Sequence, residues 1–154
     1  MQSTLVPPFL ELTLESWERV LTVNLTGQFT AARCLAKMMV DSGRGSIINV
    51  SSTAAFRGDP NGAHYAASKA GLIALSKSMA LALAKDRVTV NCIVPGTMDT
   101  EQPLGAMTKD VLVASGSQIP LGRIGRPEDI AGAAAFLLGP DAQYITGQSI
   151  AVNG

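Results

Sequence analysis

Tyr65 and Lys69 are the residues whose types and spacing most directly suggest chemistry. They lie four positions apart in Tyr65-Ala66-Ala67-Ser68-Lys69, so a helix would place both side chains on one face. An ammonium beside a phenol favours the phenolate and lowers the phenol pKa, which suits a general acid/base. The spacing alone fits a surface lysine beside a half-buried tyrosine equally well, so other residues must decide.

Two polar segments come directly after predicted strands. Ser52 follows a β-branched run at residues 46–51 that predicts a buried strand, and it precedes Tyr65 by a short loop. The segment 95–100 follows a second predicted strand at residues 88–94. Taken singly, both segments are ordinary turns. Because ligand sites in parallel α/β sheets lie at the carboxyl ends of the strands, we expect Ser52 and Tyr65 to donate hydrogen bonds to one substrate oxygen there.

The elements that must position these residues alternate between helix and strand. Apolar residues at helical spacing predict one long helix over residues 14–42, ended by Gly43, and a second over residues 63–85 that is apolar on nearly every side. The remaining predicted elements are a loop at 53–63, a short helix around 109–115, a helix at 127–138 and a last strand at 148–153. This order predicts an α/β fold in which a parallel sheet of about three strands is covered by helices on both faces.

Charge and cysteine content exclude several functional classes. The 12 Lys and Arg residues balance 12 Asp and Glu residues, so the chain lacks the basic surface of a nucleic-acid-binding protein. Cys34 and Cys92 lie far apart with no paired spacing, which predicts neither a disulfide framework nor a metal site. The N-terminal residues do not resemble a secretory signal. Because the apolar stretches 71–84 and 131–138 are short or interrupted by Lys77, we expect a cytoplasmic protein with no membrane contact.

The chain is unusually apolar for its length. Apolar residues make up 47% of the 154 positions and charged residues 16%, against about 25% charged in an average domain. A small domain has more surface per residue than a large one, so it should carry more charge and not less. The composition therefore predicts apolar surface that is covered either by a partner subunit or by the rest of a larger domain.

Together these motifs resemble the short-chain dehydrogenase/reductase family, and most closely its classical branch similar to 3-oxoacyl-carrier-protein reductases. The resemblance covers nearly the whole chain. It rests on Asn24 in Val23-Asn24-Leu25-Thr26-Gly27, on Asn49-Val50-Ser51-Ser52, on Tyr65-x-x-x-Lys69, on Asn91-Cys92-Ile93-Val94-Pro95-Gly96, on Thr100, and on the tail segments 122–129 and 144–148.

The resemblance implies an NAD(P)-dependent oxidoreductase that interconverts a carbonyl and an alcohol by hydride transfer. Tyr65 would be the general acid/base, Ser52 would polarise the carbonyl oxygen, Lys69 would bind the nicotinamide ribose and lower the Tyr65 pKa, and Asn24 would hold a water of the proton relay. The residues implied to bind NAD or NADP are Tyr65, Lys69, Pro95, Gly96, Met98 and Thr100. No metal ligand is implied. The expected partners are a small carbonyl or alcohol substrate and further copies of the chain, as a dimer or tetramer.

The resemblance is to the catalytic half of the family's domain. The glycine-rich phosphate loop that follows the family's first strand has no match in the sequence, and neither has the residue that would select NAD or NADP. We therefore expect residues 1–154 to be the C-terminal, catalytic portion of a single Rossmann-type domain, with an incomplete doubly wound sheet. The isolated chain should then bind NAD(P)H poorly and turn over slowly or not at all.

Two other functions are compatible with the residues. One is a catalytically inert fragment or interaction module that self-associates through the helices at 14–42 and 63–85, which in the family commonly contact a partner subunit. The other is a serine hydrolase that uses Ser52 and His64, although the G-x-S-x-G elbow of such enzymes is absent from the sequence. The segments 53–64 and 99–118 would set the substrate, and neither identifies one.

Overall fold

A parallel sheet of three strands forms the centre of the part of the chain that the computed structural model describes, residues 8–60, 62–100 and 114–154. The strands are β1 (Gly45–Val50), β2 (Val88–Pro95) and β3 (Ser149–Val152), in the spatial order β1-β2-β3. Val50 is paired with Ile93, and Pro95 with Val152, so the carboxyl ends of all three strands lie at one edge. The α/β fold with about three parallel strands is confirmed.

Helices precede β1, lie between β1 and β2, and lie between β2 and β3. They are α1 (Leu14–Leu21), a π-helical segment (Thr22–Thr26), α2 (Gly27–Ser42), α3 (Ala54–Arg57), α4 (Ala63–Leu83) and α5 (Pro127–Leu138), with 3-10 turns at Phe9–Glu11, Ala84–Asp86 and Pro140–Ala142. The long helix predicted over residues 14–42 is present, with the π-helical segment inside it. The loop predicted at 53–63 contains the single turn α3. The short helix predicted around 109–115 lies largely outside the described residues.

Local signals in the sequence account for the helix ends. The Thr13 hydroxyl accepts a 3.2 Å hydrogen bond from the Ser16 N–H and so caps α1. Gly43 ends α2 with a φ of +67°, a conformation that favours glycine. Pro127 begins α5. At this position a backbone N–H would have no partner within the helix, so its absence in proline costs no hydrogen bond.

The central strand β2 carries the core on both of its faces. On one face Cys92 and Val94 pack against Ile73 of α4. On the other face Ile93 packs against Leu137 of α5 and Ala142. Ile73 is 8% exposed, and the other five residues are at most 2% exposed. The sheet is therefore covered on both sides, as the alternation of elements predicts.

Helix α4 with the following 3-10 turn is long and apolar enough to cross a membrane by length and composition, which corrects the expectation that Lys77 interrupts this segment. A core helix of a water-soluble protein passes the same test. Its inner side is buried against the sheet through Leu72, Ile73, Ser76 and Ala80, and its outer side carries Lys77. α4 thus packs on β2 with one side, and 28% of its most apolar stretch is buried in the described structure.

Candidate functional site

The site predicted from the sequence begins where β1 ends. Backbone hydrogen bonds continue the pairing of β1 with β2 past Val50: the Ser51 N–H donates to the Ile93 oxygen at 2.8 Å, and the Thr53 N–H donates to the Pro95 oxygen at 3.0 Å. Ser52, between these two residues, is thereby held at the carboxyl edge of the sheet beside the end of β2. Both predicted polar segments thus meet at one edge.

Helix α4 brings Tyr65 and Lys69 to the same edge. The Lys69 Nζ donates a 2.9 Å hydrogen bond to the carbonyl oxygen of Val50, the last residue of β1. The same Nζ lies 5.7 Å from the centroid of the Tyr65 ring. The ammonium therefore lies between the end of the strand and the phenol, and the pairing predicted from the spacing of the two residues is present.

Burial changes the proton affinity of two groups beneath this edge. Desolvation lowers the pKa of Lys69, and the Cys92 thiol partly opposes that shift. Desolvation likewise raises the pKa of Cys92, against smaller effects of Ser51, Ser76 and Lys69. A lysine whose ammonium form is less favoured sits in an environment typical of functional sites.

Ser52 and its neighbour Ser51 have different roles. The Ser52 Oγ accepts a 3.2 Å hydrogen bond from the Ala54 N–H, which orients the hydroxyl and leaves its proton available to another acceptor. The Ser51 Oγ donates a 2.8 Å hydrogen bond to the Lys69 carbonyl oxygen and so fastens α4 to the end of β1.

Asn24 lies in the π-helical segment, where the Gly27 N–H donates to the Thr22 oxygen five residues earlier. Its Nδ2 donates a 3.2 Å hydrogen bond to the Ser68 Oγ, and the Ser68 Oγ donates a 2.7 Å hydrogen bond to the Tyr65 carbonyl oxygen. Single π turns inside α-helices are frequent at functional sites. The structure thus connects Asn24 to the helical turn that carries Tyr65.

Ser68 is a site residue that the sequence reasoning missed. It is completely buried, and both of its hydrogen bonds lead to residues of the predicted site. The sequence did contain a signal, because a serine three residues after Tyr65 in a helix can donate a hydrogen bond to the Tyr65 carbonyl oxygen. Its second partner is distant in sequence and leaves no local pattern.

The segment predicted to contact the cofactor lies at the end of β2, close to β3. A Cβ added to Gly96 would meet the Asn153 Cβ at 2.9 Å and Cα at 3.0 Å, so the two chains approach closely here. Met98 forms an isolated parallel bridge with Gly125, while Thr100 is exposed. A cavity of about 190 Å³ adjoins them, lined by Met98, Leu121, Arg123, Gly125, Asp129, Val152, Asn153 and Gly154. It does not include Ser52, Tyr65 or Lys69.

The serine-hydrolase hypothesis finds no supporting contact. His64 is buried, and its Nδ1 accepts a 2.9 Å hydrogen bond from the Tyr65 N–H. Such a mechanism needs a histidine nitrogen that accepts the serine hydroxyl proton, and among the described residues no hydrogen bond joins Ser52 to His64. In the described ranges there is also no group of three or more His, Cys, Asp or Glu side chains that could hold a metal ion.

Comparison with known proteins covers the whole chain. Residues 1–154 match the family model described as enoyl-(acyl carrier protein) reductase. The chain is 40% identical over 146 residues to the 3-oxoacyl-[acyl-carrier-protein] reductase FabG of Aquifex aeolicus, which covers 95% of the chain and 58% of that relative. It is 41% identical over 148 residues to the rat (3R)-3-hydroxyacyl-CoA dehydrogenase, which covers 94% of the chain and 56% of that relative.

Solved structures share the fold. A crystal structure assigned as an NAD(P)-dependent gluconate 5-dehydrogenase of Beutenbergia cavernae, with NADP bound at low occupancy, aligns with a TM-score of 0.91 and 36% identity over 96% of this chain and 59% of its own. The 3-oxoacyl-[acyl-carrier protein] reductase of Brucella melitensis aligns with a TM-score of 0.91 and 32% identity over 99% of this chain and 57% of its own. The chain thus spans less than two thirds of the length of the proteins it matches.

Proposed function

Because the chain belongs to the short-chain dehydrogenase/reductase family, we propose that it forms the catalytic, C-terminal portion of a Rossmann-type NAD(P)-dependent oxidoreductase that interconverts a carbonyl and an alcohol. One observation carries the proposal: the Lys69 ammonium joins the end of β1 to the Tyr65 ring at the edge that holds Ser52. Ligand sites of parallel α/β sheets lie at that edge.

Each polar residue of the edge has a defined part in the proposed reaction. Tyr65 is the general acid/base, which gives its hydroxyl proton to the carbonyl oxygen in reduction and takes it back in oxidation. Ser52 donates a hydrogen bond from its hydroxyl to the same oxygen and polarises the carbonyl. Lys69 holds a positive charge 5.7 Å from the centroid of the ring that exchanges this proton. Asn24 holds a water through which the proton is replaced.

The residues present fit a nicotinamide cofactor, NAD or NADP, which supplies or accepts the hydride when bound. The Lys69 ammonium has three N–H donors and Val50 takes one, so two remain for the hydroxyls of a ribose. Pro95, Gly96 and Met98 at the end of β2, with the exposed Thr100, would line the nicotinamide and its phosphates. The NADP bound to the gluconate dehydrogenase relative supports this class of cofactor.

The test is NAD(P)H oxidation with a panel of small carbonyl compounds, using the protein expressed from its natural gene. Replacing Tyr65 by Phe removes the proton donor and is expected to lower kcat by at least about a hundredfold. Tyr144→Phe is the matched control, because Tyr144 is fully exposed and lies outside the site. Equal rates for Tyr65→Phe and the wild-type protein would contradict the proposal.

Self-association is a second property that a specific observation favours. Phe29, Leu35 and Met38 of α2 and Leu81 of α4 are 47% to 85% exposed, although all are large apolar side chains. An apolar groove of about 380 Å³ runs between the two helices, lined by Phe29, Ala32, Arg33, Ala36, Lys37, Val40, Asp41, Met79, Ala82 and Leu83. Contiguous exposed apolar surface of this kind marks interaction sites.

We infer that α2 and α4 mediate a homo-oligomer, either within an active enzyme or as an inert module. Sedimentation measures its mass, with Leu35→Glu as the disrupting variant and Gln28→Glu, at an exposed position on α2, as the control. A stable oligomer that lacks NAD(P)H turnover would favour the module, whereas turnover that is lost with Tyr65→Phe would favour the enzyme. A cytoplasmic location stays a prediction.

A further inference from the structure

The contact between the π-helical segment and α4 includes a buried hydroxyl and a glycine. Ser68 is completely buried and accepts the hydrogen bond from the Asn24 Nδ2 at 3.2 Å. One helical turn further on, a Cβ added to Gly71 would meet the Leu25 Cδ2 at 2.9 Å. Ser68 and Gly71 are three residues apart and so share a helix face, which approaches the π-helical segment closely.

The proton of the Ser68 hydroxyl already has an acceptor. It goes to the Tyr65 carbonyl oxygen at 2.7 Å, so only the lone pairs of the hydroxyl face Asn24. An amide can present either its oxygen or its NH₂ group, and an acceptor at this position selects the NH₂ group of Asn24. The Asn24 Oδ1 is thereby turned away from Ser68.

We propose that Ser68 is a positioning residue that holds the Asn24 side chain and the turn carrying Tyr65 in one fixed relation. This rests on the proposed function, in which Asn24 and Tyr65 belong to the same proton relay. Ser68 acts on the proton transfer through these two residues and does not touch substrate or cofactor. It therefore sets how well the relay is aligned, because small displacements of reacting groups slow a reaction strongly.

A kinetic double-mutant cycle tests the proposal in the protein expressed from its natural gene. Ser68→Ala is expected to lower kcat about tenfold, with little change in KM, and to alter the pH profile of alcohol oxidation. In an Asn24→Ala background the same substitution should change kcat less than twofold, because Ser68 then no longer links the Asn24 side chain to the turn that carries Tyr65. Ser78→Ala, at an exposed position on α4, is the control and should leave the rates unchanged. Equal kcat losses from Ser68→Ala in both backgrounds would overturn the proposal.

The contact itself can be measured without turnover. Side-chain amide NMR signals of Asn24 in the ¹⁵N-labelled protein should move on Ser68→Ala and return towards their original position with Ser68→Thr, which restores the hydroxyl. Signals of Asn24 that stay in place in Ser68→Ala would refute the positioning role even if the enzyme is active. If the wild-type protein is inactive but the Asn24 signals still move on Ser68→Ala, the proposed reaction would be contradicted. The contact between Ser68 and Asn24 would be confirmed.

Discussion

The Lys69 ammonium donates a 2.9 Å hydrogen bond to the carbonyl oxygen of Val50, so the beginning of α4 is fastened to the last residue of β1. The bond keeps the charged end of Lys69 within 5.7 Å of the Tyr65 ring centroid. Partial burial at this place lowers the pKa of Lys69. The position that serves the proposed chemistry is therefore one where a positive charge is less favoured than in water.

This burial predicts a pH dependence of stability. A lysine with a lowered pKa binds fewer protons in the folded than in the unfolded chain, in the pH range from the lowered value up to the ordinary value of 10.5. The free energy of unfolding of the wild-type chain should therefore rise with pH across that range, relative to a Lys69→Met variant. Denaturant titrations at several pH values measure the difference. Lys77→Met, at an exposed site on the same helix, should run parallel to the wild type.

Lys69→Met should also remove most of the activity. The variant lacks the ammonium beside the Tyr65 ring and the donors proposed for the ribose, so we expect kcat/KM to fall by at least about a hundredfold. Steady-state rates of the protein expressed from its natural gene check this. A Lys69→Met protein as active as Lys77→Met would remove Lys69 from the proposed mechanism.

Gly96 and Gly132 should respond to alanine with opposite signs. At Gly96 the new Cβ would lie 2.9 Å from the Asn153 Cβ and 3.0 Å from its Cα, so the ends of β2 and β3 must separate, at a cost of about 1–3 kcal/mol. At Gly132, inside α5, nothing lies within 4 Å of the new Cβ, and alanine should stabilise the helix by up to about 1 kcal/mol. Urea denaturation of the two variants measures both effects. A Gly96→Ala chain as stable as Gly132→Ala would contradict the close approach of the strands.

Asp129 should stabilise the start of α5 in a pH-dependent manner. Its carboxylate accepts 2.7 Å hydrogen bonds from Arg123 and from the Arg126 N–H, which hold its pKa far below the ordinary value of 3.8. The stabilisation is therefore present above pH 3.8 and is lost as the pH falls through the lowered pKa. Asp129→Asn should lower the Tm at pH 7, and the difference from the wild type should shrink in acid. Glu128→Gln, in the same helical turn, is the control.

The isolated 154-residue chain should bind NAD(P)H more weakly than micromolar. The glycine-rich loop that seats the pyrophosphate in this family has no match in the sequence, so only the nicotinamide end has proposed contacts. A fluorescence titration with NADH and NADPH measures the Kd. Micromolar binding by this chain would show that the contacts at the sheet edge suffice.

The regular elements could be predicted because each has a local cause. The run at 46–51 and the helix over residues 14–42 follow from apolar spacing, and Thr13, Gly43 and Pro127 mark helix ends. Tyr65 and Lys69 could be paired because four residues bring two side chains to one helix face. Their common edge with Ser52 followed from the parallel order of the strands.

Other features depend on contacts between distant residues. One additional residue in a helical turn at Thr22–Thr26 barely disturbs the apolar spacing of a long helix, so the π-helical segment was not predicted. The single turn Ala54–Arg57 lies inside the loop predicted at 53–63. It was not predicted because four residues are too few to show the apolar spacing of a helix. The importance of Ser68 arises from Asn24, which packs against it only in the folded chain.

The π-helical segment at Thr22–Thr26 makes the length of this part of the chain matter more than its composition. α1 before it packs on α4, whereas α2 after it packs on β1. Deleting one of the five residues would restore a regular helix and turn every later side chain of α2 by about 100° relative to α1. Single-codon deletions here should therefore be far less tolerated than substitutions at the exposed Thr22, Val23 or Thr26. Evolution can therefore substitute residues in this segment, but it cannot easily change the number of residues.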